Sequence, residues 1–320
     1  MAGKACKGHN VSTVLVTRAR EMLAHIAVLV RHHQGYGRVA DYIPELAQIS
    51  PQQFGMAFVS VEGECAYAGD VHVPFSLQSI TKAMALLVAL NIGGDQIWER
   101  VGKEPSGTPF NFLAQIEAEE GVPRNPFVNA GALVVTDYLI ERLGTSAEAI
   151  RDFFRVASQN HDIGIDERVA SSELEAAHRN RAIANILASH GTIRRDPDRV
   201  LSAYCRQCAI EMPLLSLTRA FVPLASGGFS PFFGGNLTTP SVARRVNALM
   251  MTSGMYDSVG SFAYRVGLPA KSGVGGGIIA IAPRVGAIGV WGPELDRSGN
   301  SLIGTIALEH FVRSFELSVL

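Results

Sequence analysis

A nearly unbroken apolar run predicts the helix around which the other elements of the chain are organised. Good helix formers continue to Leu90, and after Phe75 no glycine or proline interrupts the pattern until Gly93. Because such a helix is apolar on all sides, we expect it to be buried on all sides. Ser79 and Lys82 lie at its first turn, three residues apart, so their side chains share one face.

Amphipathic and alternating patterns predict further elements before and after this helix. A helix, a short helix entered through Pro44 and a β-hairpin precede it, over Val11–His33, Gly37–Ala47 and Phe54–Ala68. The middle of the chain is mainly helical, with helices over Ala130–Leu143 and Asp198–Ile210 and a glycine-rich loop over Ser226–Gly235. Two strands and a helix end the chain, over Ala270–Ala282, Val285–Trp291 and Leu302–Leu317.

This order of elements predicts an α+β fold in which strands from both chain ends share one antiparallel sheet flanked by helices. We expect a single domain over residues 1–320, with a sheet-and-helix lobe of residues 1–77 and 251–320 and an inserted all-helical lobe of residues 78–250. A ligand site would lie in the cleft between the lobes, beside Ser79. Lys271-Ser-Gly273 at the start of a late strand fits the serine β-lactamase and penicillin-binding-protein plan.

The spacing of Ser79 and Lys82 permits nucleophilic catalysis. A serine hydroxyl needs a base to take its proton, and lysine is that base only when neutral. Lowering its pKa from about 10.4 to about 7 needs about 4 kcal/mol of desolvation and charge effects. The pattern alone fits a capping serine followed by a lysine at the helix surface equally well.

Composition restricts the class of partner. Hydrophobic residues make up 47% of the chain and its formal net charge is −1, which indicates a well-cored globular protein and argues against a nucleic-acid partner. We find no signal peptide and no stretch long enough to span a membrane, so we expect a cytoplasmic protein.

The cysteines favour a reduced protein. There are four, unevenly placed, and Cys205-Arg-Gln-Cys208 lacks the second pair of ligands that a zinc site would need. We expect both thiols to be reduced and partly buried on an amphipathic helix.

Separate stretches in sequence order resemble the glutaminase family, the L-glutamine amidohydrolases with a β-lactamase-like fold. Among them, Phe75-Ser-Leu-Gln-Ser-Ile-Thr-Lys82 carries the Ser-x-x-Lys pair. The other matching stretches span nearly the whole chain: Gly37–Leu46, Glu104–Gly107, Phe110-Asn111, Pro123–Ala132, Ser172-Glu173, Arg179-Asn180, Met255–Asp257 and Gly267–Gly277. In length the chain resembles the short bacterial type.

The resemblance implies a role for each matching residue. Ser79 would attack the carboxamide of glutamine, Lys82 would be the general base, and Tyr256 would relay protons. The backbone N–H groups of Ser79 and Val274 would form the oxyanion hole, and the glycines after Val274 would admit the substrate. The residues implied to bind substrate are Ser79, Asn129, Glu173, Asn180, Tyr204, Tyr256 and Val274, with Lys271 adding positive charge from behind the site.

Without the resemblance, each of these residues has a simpler interpretation. Asn129 fits a helix N-cap, Asn180 a surface amide and Glu173 a first-turn acid. Tyr204 and Tyr256 fit the edge of a hydrophobic core.

The hypothesis that combines these features is hydrolysis of L-glutamine to L-glutamate and ammonia, without cofactor or metal. The family resemblance also implies a homodimer or homotetramer. One alternative is a β-lactam-recognising acyl-enzyme, which the absence of a Ser-Asp-Asn element disfavours. A second is a catalytically silent amino-acid-binding protein.

Overall fold

Helices form most of the structure, as the hydrophobic pattern predicts. The computed structural model describes residues 8–106 and 113–320, with side chains from residue 14 onward, so the family matches at Gly107 and Phe110-Asn111 lie outside the described residues. The described helices are α1 (Gly8–Leu29), α2 (Thr81–Gly93), α3 (Leu113–Ala118), α4 (Asn129–Leu143), α5 (Ala147–Ser158), α6 (Glu167–Ala176), α7 (His178–Ser189), α8 (Pro197–Cys208), α9 (Leu214–Ala225), α10 (Pro240–Ser253), α11 (Val259–Arg265) and α12 (Leu302–Phe315).

Strands from the two ends of the chain share one antiparallel sheet. The described strands are β1 (Gly55–Ser60), β2 (Cys65–Gly69), β3 (Pro74–Ser76), β4 (Gly164–Ile165), β5 (Ile210–Pro213), β6 (Phe229–Ser230), β7 (Gly235–Asn236), β8 (Ala270–Ser272), β9 (Gly277–Ala282) and β10 (Gly286–Trp291). The main sheet has five strands in the order β2-β1-β10-β9-β8. In its centre Gly55 lies opposite Trp291 and Ser60 opposite Gly286. The predicted α+β class and mixed origin of the sheet are confirmed.

Both faces of this sheet are covered. Along β1, Met56 and Phe58 join the hydrophobic cluster that includes residues of α1 and α12. The alternate residues, Ala57 and Val59, join the cluster that includes residues of α9. Because side chains of a strand point alternately to opposite faces, all six residues of β1 are buried. The sheet is therefore the middle layer between two groups of helices.

The apolar helix is shorter than predicted but buried as predicted. Every residue from Thr81 to Leu90 is buried. Before it, Pro74–Ser76 forms β3 and Gln78–Ile80 a 3₁₀ turn, so the α-helix begins at Thr81 rather than near Phe75. Strand β3 pairs with β5, which lies far along the chain. That pairing between distant segments takes the backbone hydrogen bonds that a local helix would have used.

Residues 78–250 are not all-helical, which corrects the prediction for this region. Strands β4 and β5 of this region join β3 in a three-stranded sheet, and β6 and β7 pair at the predicted glycine-rich loop. The backbone N–H of Leu77 donates to the carbonyl of Ile210 at 2.9 Å. These strands hold the segment that leads into the Ser79 turn.

Two smaller predictions also change. The segment after Gly37 contains only a 3₁₀ turn over Leu46–Gln48, not a helix entered through Pro44. Cys205 and Cys208 are free thiols as predicted, but both are fully buried because α8 packs against several helices. Within residues 8–106 and 113–320, no helix combines the length and apolar character needed to cross a membrane.

Candidate active site

A cavity of about 390 Å³ opens beside the 3₁₀ turn that precedes α2. Several elements converge on it, since α4, α6, α7, α8 and the turn after α10 each contribute a side chain. Its lining includes every residue predicted to bind substrate, namely Ser79, Asn129, Glu173, Asn180, Tyr204, Tyr256 and Val274. Residues that are far apart in sequence are thus brought together at one site.

An unusual backbone conformation places Ser79 at the cavity. Gln78 has φ +51°, in the left-handed region that residues with a Cβ rarely adopt. Strand β8 and the loop after it lie directly against this turn. A Cβ at Gly273 would meet the carbonyl oxygen of Leu77, and one at Gly275 would meet that of Ser76. These two glycines therefore allow the close approach of the turn that carries Ser79; the resemblance implied a different role, admission of the substrate, for the glycines after Val274.

Lys82 lies beneath the cavity and not on its surface. Only 1% of its surface is exposed, and its Nζ donates to the carbonyl of Phe127 at 3.1 Å and to Asn129 Oδ1 at 2.7 Å. Burial lowers the pKa of Lys82 from 10.5 to about 8. Asn129 in turn donates from Nδ2 to Asn180 Oδ1 at 2.9 Å. Two predicted binding residues therefore connect the amine to the cavity wall.

Tyr256 lines the cavity beside the predicted nucleophile. Burial raises the pKa of Tyr256, and the neighbouring side chains of Ser79 and Ser272 oppose this shift by favouring the ionised form. The backbone of Tyr256 has φ +49°, a second left-handed residue on the cavity wall. Since a non-glycine residue persists in this region only when its surroundings hold it there, the orientation of the ring is strongly determined.

Lys271 lies under the Tyr256 ring and is not among the residues that line the cavity. Its Nζ is 4.6 Å from the ring centroid and donates to the carbonyls of Gly254 at 3.0 Å and Ser272 at 2.6 Å. Burial, followed by the charge of Lys82, holds the pKa of Lys271 well below its usual value. This favours the neutral amine, whereas the sequence suggested added positive charge.

Glu173 is a buried carboxylate with few partners. It is 8% exposed, and burial raises its pKa from 4.5 to about 7, although the nearby Gln78 and Cys208 side chains favour the ionised form. In the part of the chain that the structure describes, no hydrogen-bond partner reaches its Oε2. A buried oxygen of this kind can accept a hydrogen bond from a ligand cation.

Sequence reasoning missed several residues of the cavity wall. Gln78 lies within the matching stretch around Ser79, and Tyr42 within the one around Gly37, yet neither was singled out. The residues between β10 and α12 were not assigned to the site either. The lining residues missed are Tyr42, Gln78, Ala176, Ala177, Arg179, Asp257, Leu295, Arg297, Ser298 and Gly299.

Comparison with known proteins gives consistent matches. The family model described as Glutaminase matches residues 37–320. A glutaminase of Caulobacter vibrioides is 55% identical over 300 residues, which cover 94% of this chain and 98% of that protein. A second, from Paraburkholderia phytofirmans, is 51% identical over 275 residues, covering 86% of this chain and 90% of the relative.

A solved structure agrees at the level of the fold. The probable glutaminase from Bacillus subtilis, complexed with 6-diazo-5-oxo-L-norleucine, is 29% identical and superimposes with a TM-score of 0.81 over 100% of this chain and 99% of its own. The fold is β-lactamase-like, as predicted. From the family model, the relatives and this neighbour together, we conclude that the chain belongs to the glutaminase family.

Proposed function

We propose that the protein hydrolyses L-glutamine to L-glutamate and ammonia through a γ-glutamyl ester on Ser79. The observation that carries this proposal is the arrangement around one cavity. Lys82, a buried lysine of lowered pKa, follows Ser79 by three residues, and Tyr256 and the poorly partnered Glu173 line the same cavity as Ser79. Family membership and the relatives named Glutaminase support the same reaction.

Lys82 is suited to activate Ser79. A neutral amine has two N–H groups and one lone pair, and two acceptors already take hydrogen bonds from Nζ. The lone pair is then left to accept the Ser79 proton, because Ser79 in the 3₁₀ turn and Lys82 in the first turn of α2 are three residues apart along a continuous helical path. With a pKa of about 8, a useful fraction of the amine is neutral near physiological pH.

The chemical steps then follow from the positions of the side chains. Ser79 Oγ attacks the carboxamide carbon while its proton passes to Lys82, and the negative oxygen is stabilised by the backbone N–H groups of Ser79 and Val274. The resulting tetrahedral intermediate then collapses, and the C–N bond of the carboxamide breaks. Tyr256, which lines the same cavity as Ser79, passes the proton to the leaving nitrogen and ammonia departs. Water then cleaves the ester by the reverse proton route and releases glutamate.

We assign recognition of the amino-acid end of the substrate to the cavity residues Glu173, Asn180 and Tyr204. The α-ammonium of glutamine pairs with Glu173, whose unpartnered Oε2 would otherwise remain buried without compensation. This pairing favours the ionised carboxylate, which burial alone disfavours. Asn180 and Tyr204 complete the pocket through polar side-chain atoms.

Several further properties belong to the same proposal. The chemistry uses only side chains and water and therefore needs neither cofactor nor metal. The chain works as one domain, with residues 78–250 inserted into the sheet-containing part. It acts in the cytoplasm as a homodimer or homotetramer.

A substrate panel tests the reaction. Purified protein is supplied with L-glutamine, with L-asparagine, which is one methylene shorter, and with a chromogenic β-lactam, and ammonia release or β-lactam ring opening is followed. We expect ammonia release that is fastest with glutamine and no ring opening. Ring opening without ammonia release would favour the β-lactam-recognising alternative. Glutamine binding without either product would favour the silent binding protein.

A further inference from the structure

Gln78, directly before Ser79, needs an external support. Its left-handed φ of +51° is costly for a residue with a Cβ, yet it sets the direction in which the Ser79 side chain leaves the turn. Its carbonyl accepts a hydrogen bond from Thr81 Oγ1 at 2.8 Å, and its Nε2 donates to Ser76 Oγ at 3.0 Å. The conformation is thus held at both the carbonyl and the side chain.

The Thr81 hydroxyl is itself held by a second helix. Gln207 of α8 donates from Nε2 to Thr81 Oγ1 at 3.3 Å. Its Oε1 lies 3.3 Å from Thr136 Oγ1 of α4, whose single hydrogen is shared with the carbonyl of Ala132 at 2.9 Å. A line of polar side chains thus connects α4 through α8 to the turn in front of α2.

Water does not reach this polar line. Thr81, Gln207 and Thr136 each have 0% of their surface exposed. A threonine or glutamine in such a place costs desolvation free energy that an apolar side chain of similar size would avoid. The hydrogen bonds offset this desolvation free energy only if all partners stay in place. These buried hydrogen bonds therefore constrain the relative positions of α2, α4 and α8.

We propose that Thr81 and Gln207 are positioning residues that fix the Gln78 turn and thereby aim the Ser79 hydroxyl into the cavity. This inference rests on the proposed function, since it concerns the nucleophile of that reaction. Neither residue lines the cavity. Their effect should therefore appear in turnover and not in substrate binding.

Thr81→Val tests the proposal because it removes the hydroxyl and keeps the branched shape. Thr218→Val is the matched control, since Thr218 is also 0% exposed and its hydroxyl donates at 2.8 Å to a carbonyl, that of Leu214, within its own helix α9. We expect kcat of Thr81→Val for glutamine to fall about ten- to hundredfold with KM unchanged, as for a small misplacement of a reacting group. Thr218→Val should keep wild-type kcat.

Two further variants keep the test decisive. Thr81→Ser retains the hydroxyl and should restore most of the lost kcat. Gln207→Met removes the other end of the contact at similar size and should lower kcat in the same direction, which decides the matter if Thr81→Val does not fold. Wild-type kcat in both Thr81→Val and Gln207→Met, or a change in KM or melting temperature alone, would overturn the proposal.

Ser79→Ala separates this proposal from the proposed function. If Ser79→Ala retains turnover, the nucleophile itself is wrongly assigned and the proposed function fails. If Ser79→Ala is inactive while Thr81→Val and Gln207→Met turn over normally, only the positioning role is wrong.

Discussion

At the scale of single residues, the proposed active site holds two buried titratable groups, the amine of Lys82 and the carboxyl group of Glu173. Burial lowers the pKa of Lys82 to about 8 and raises that of Glu173 to about 7. Each shift favours the neutral form of the group, and the two groups interact through their charges. The proposed reaction needs Lys82 neutral and Glu173 ionised, so a rising pH favours both required states.

We therefore predict that kcat/KM falls as pH is lowered through about 8 and falls more steeply below about 7. The two pKa values belong to a coupled pair, so the profile reports apparent values of that pair. Glu173→Gln removes one titration, and its profile should depend on a single proton at lower overall activity. A wild-type profile that is flat from weakly acidic to alkaline pH would contradict the assignment.

The lowered pKa of Lys82 also predicts a pH-dependent stability. Its folded-state pKa of about 8 lies below the unfolded value of 10.5, so the unfolded chain binds more protons between these limits. The contribution of this lysine to the free energy of unfolding should therefore rise by about 3 kcal/mol as pH increases from 7 to 10.5. The measurement is urea unfolding of wild type and Lys82→Met across this range. A constant difference between the two proteins would show that the lysine titrates normally.

At the scale of helices and strands, the sequence predicted those features that depend on neighbouring residues and not those that depend on distant segments. The burial of α2 follows from its own composition, and α4 ends at Gly144, a glycine in the left-handed conformation that commonly closes helices. The start of α2 could not be predicted, because β3 forms only by pairing with β5. The left-handed φ of Gln78 could not be predicted either, because the Thr81 hydroxyl that donates to its carbonyl is itself held by Gln207 of the distant helix α8.

The contact between the β8–β9 connection and the turn over Gln78–Ile80 gives a prediction at this scale. A Cβ at Gly273 would collide with the carbonyl of Leu77 and lie 3.3 Å from the backbone nitrogen of Ile80. Gly273→Ala should therefore push the turn away from the strand and lower kcat about a hundredfold.

Gly260→Ala is the matched control for this substitution. Gly260 lies in α11, and a Cβ there meets nothing within 4 Å. This variant should keep full activity and become slightly more stable, because alanine favours a helix. Equal activity of the two variants would show that the close approach at Gly273 does not position the nucleophile.

At the scale of the whole molecule, the sheet built from both chain ends was predictable, and the cavity wall only in part. Glu173 and Asn180 were assigned to the site only through the family resemblance, because nothing in the local sequence pattern distinguishes them from surface residues. Tyr42 and the Arg297–Gly299 turn reach the cavity through long-range packing. Such placement becomes visible only in the folded chain.

A buried ion pair links distant segments and predicts a large effect on global stability. Asp137 is 0% exposed, pairs with Arg100, and accepts hydrogen bonds from the backbone N–H groups of Arg194 and Arg195 at 3.1 and 3.0 Å. Asp137→Ala leaves the 5%-exposed Arg100 without this carboxylate, and unfolding in urea should show a loss of about 3–5 kcal/mol.

The exposed pair between Arg245 and Asp95 is the control. Asp95→Ala should change the free energy of unfolding by no more than about 1 kcal/mol, because solvent screens surface ion pairs. Similar losses in Asp137→Ala and Asp95→Ala would mean that burial of the first pair does not determine its contribution.

The most direct test of the central claim is to detect the covalent intermediate on Ser79. Wild-type protein is mixed with L-glutamine, quenched in acid within the first turnover, digested and examined by mass spectrometry, with Ser79→Ala treated in parallel. We predict that a glutamyl group is attached to the peptide containing Ser79 in the wild type, and that Ser79→Ala shows neither the adduct nor ammonia release. Undiminished ammonia release by Ser79→Ala, or an adduct on another residue, would contradict the assignment of Ser79 as the nucleophile.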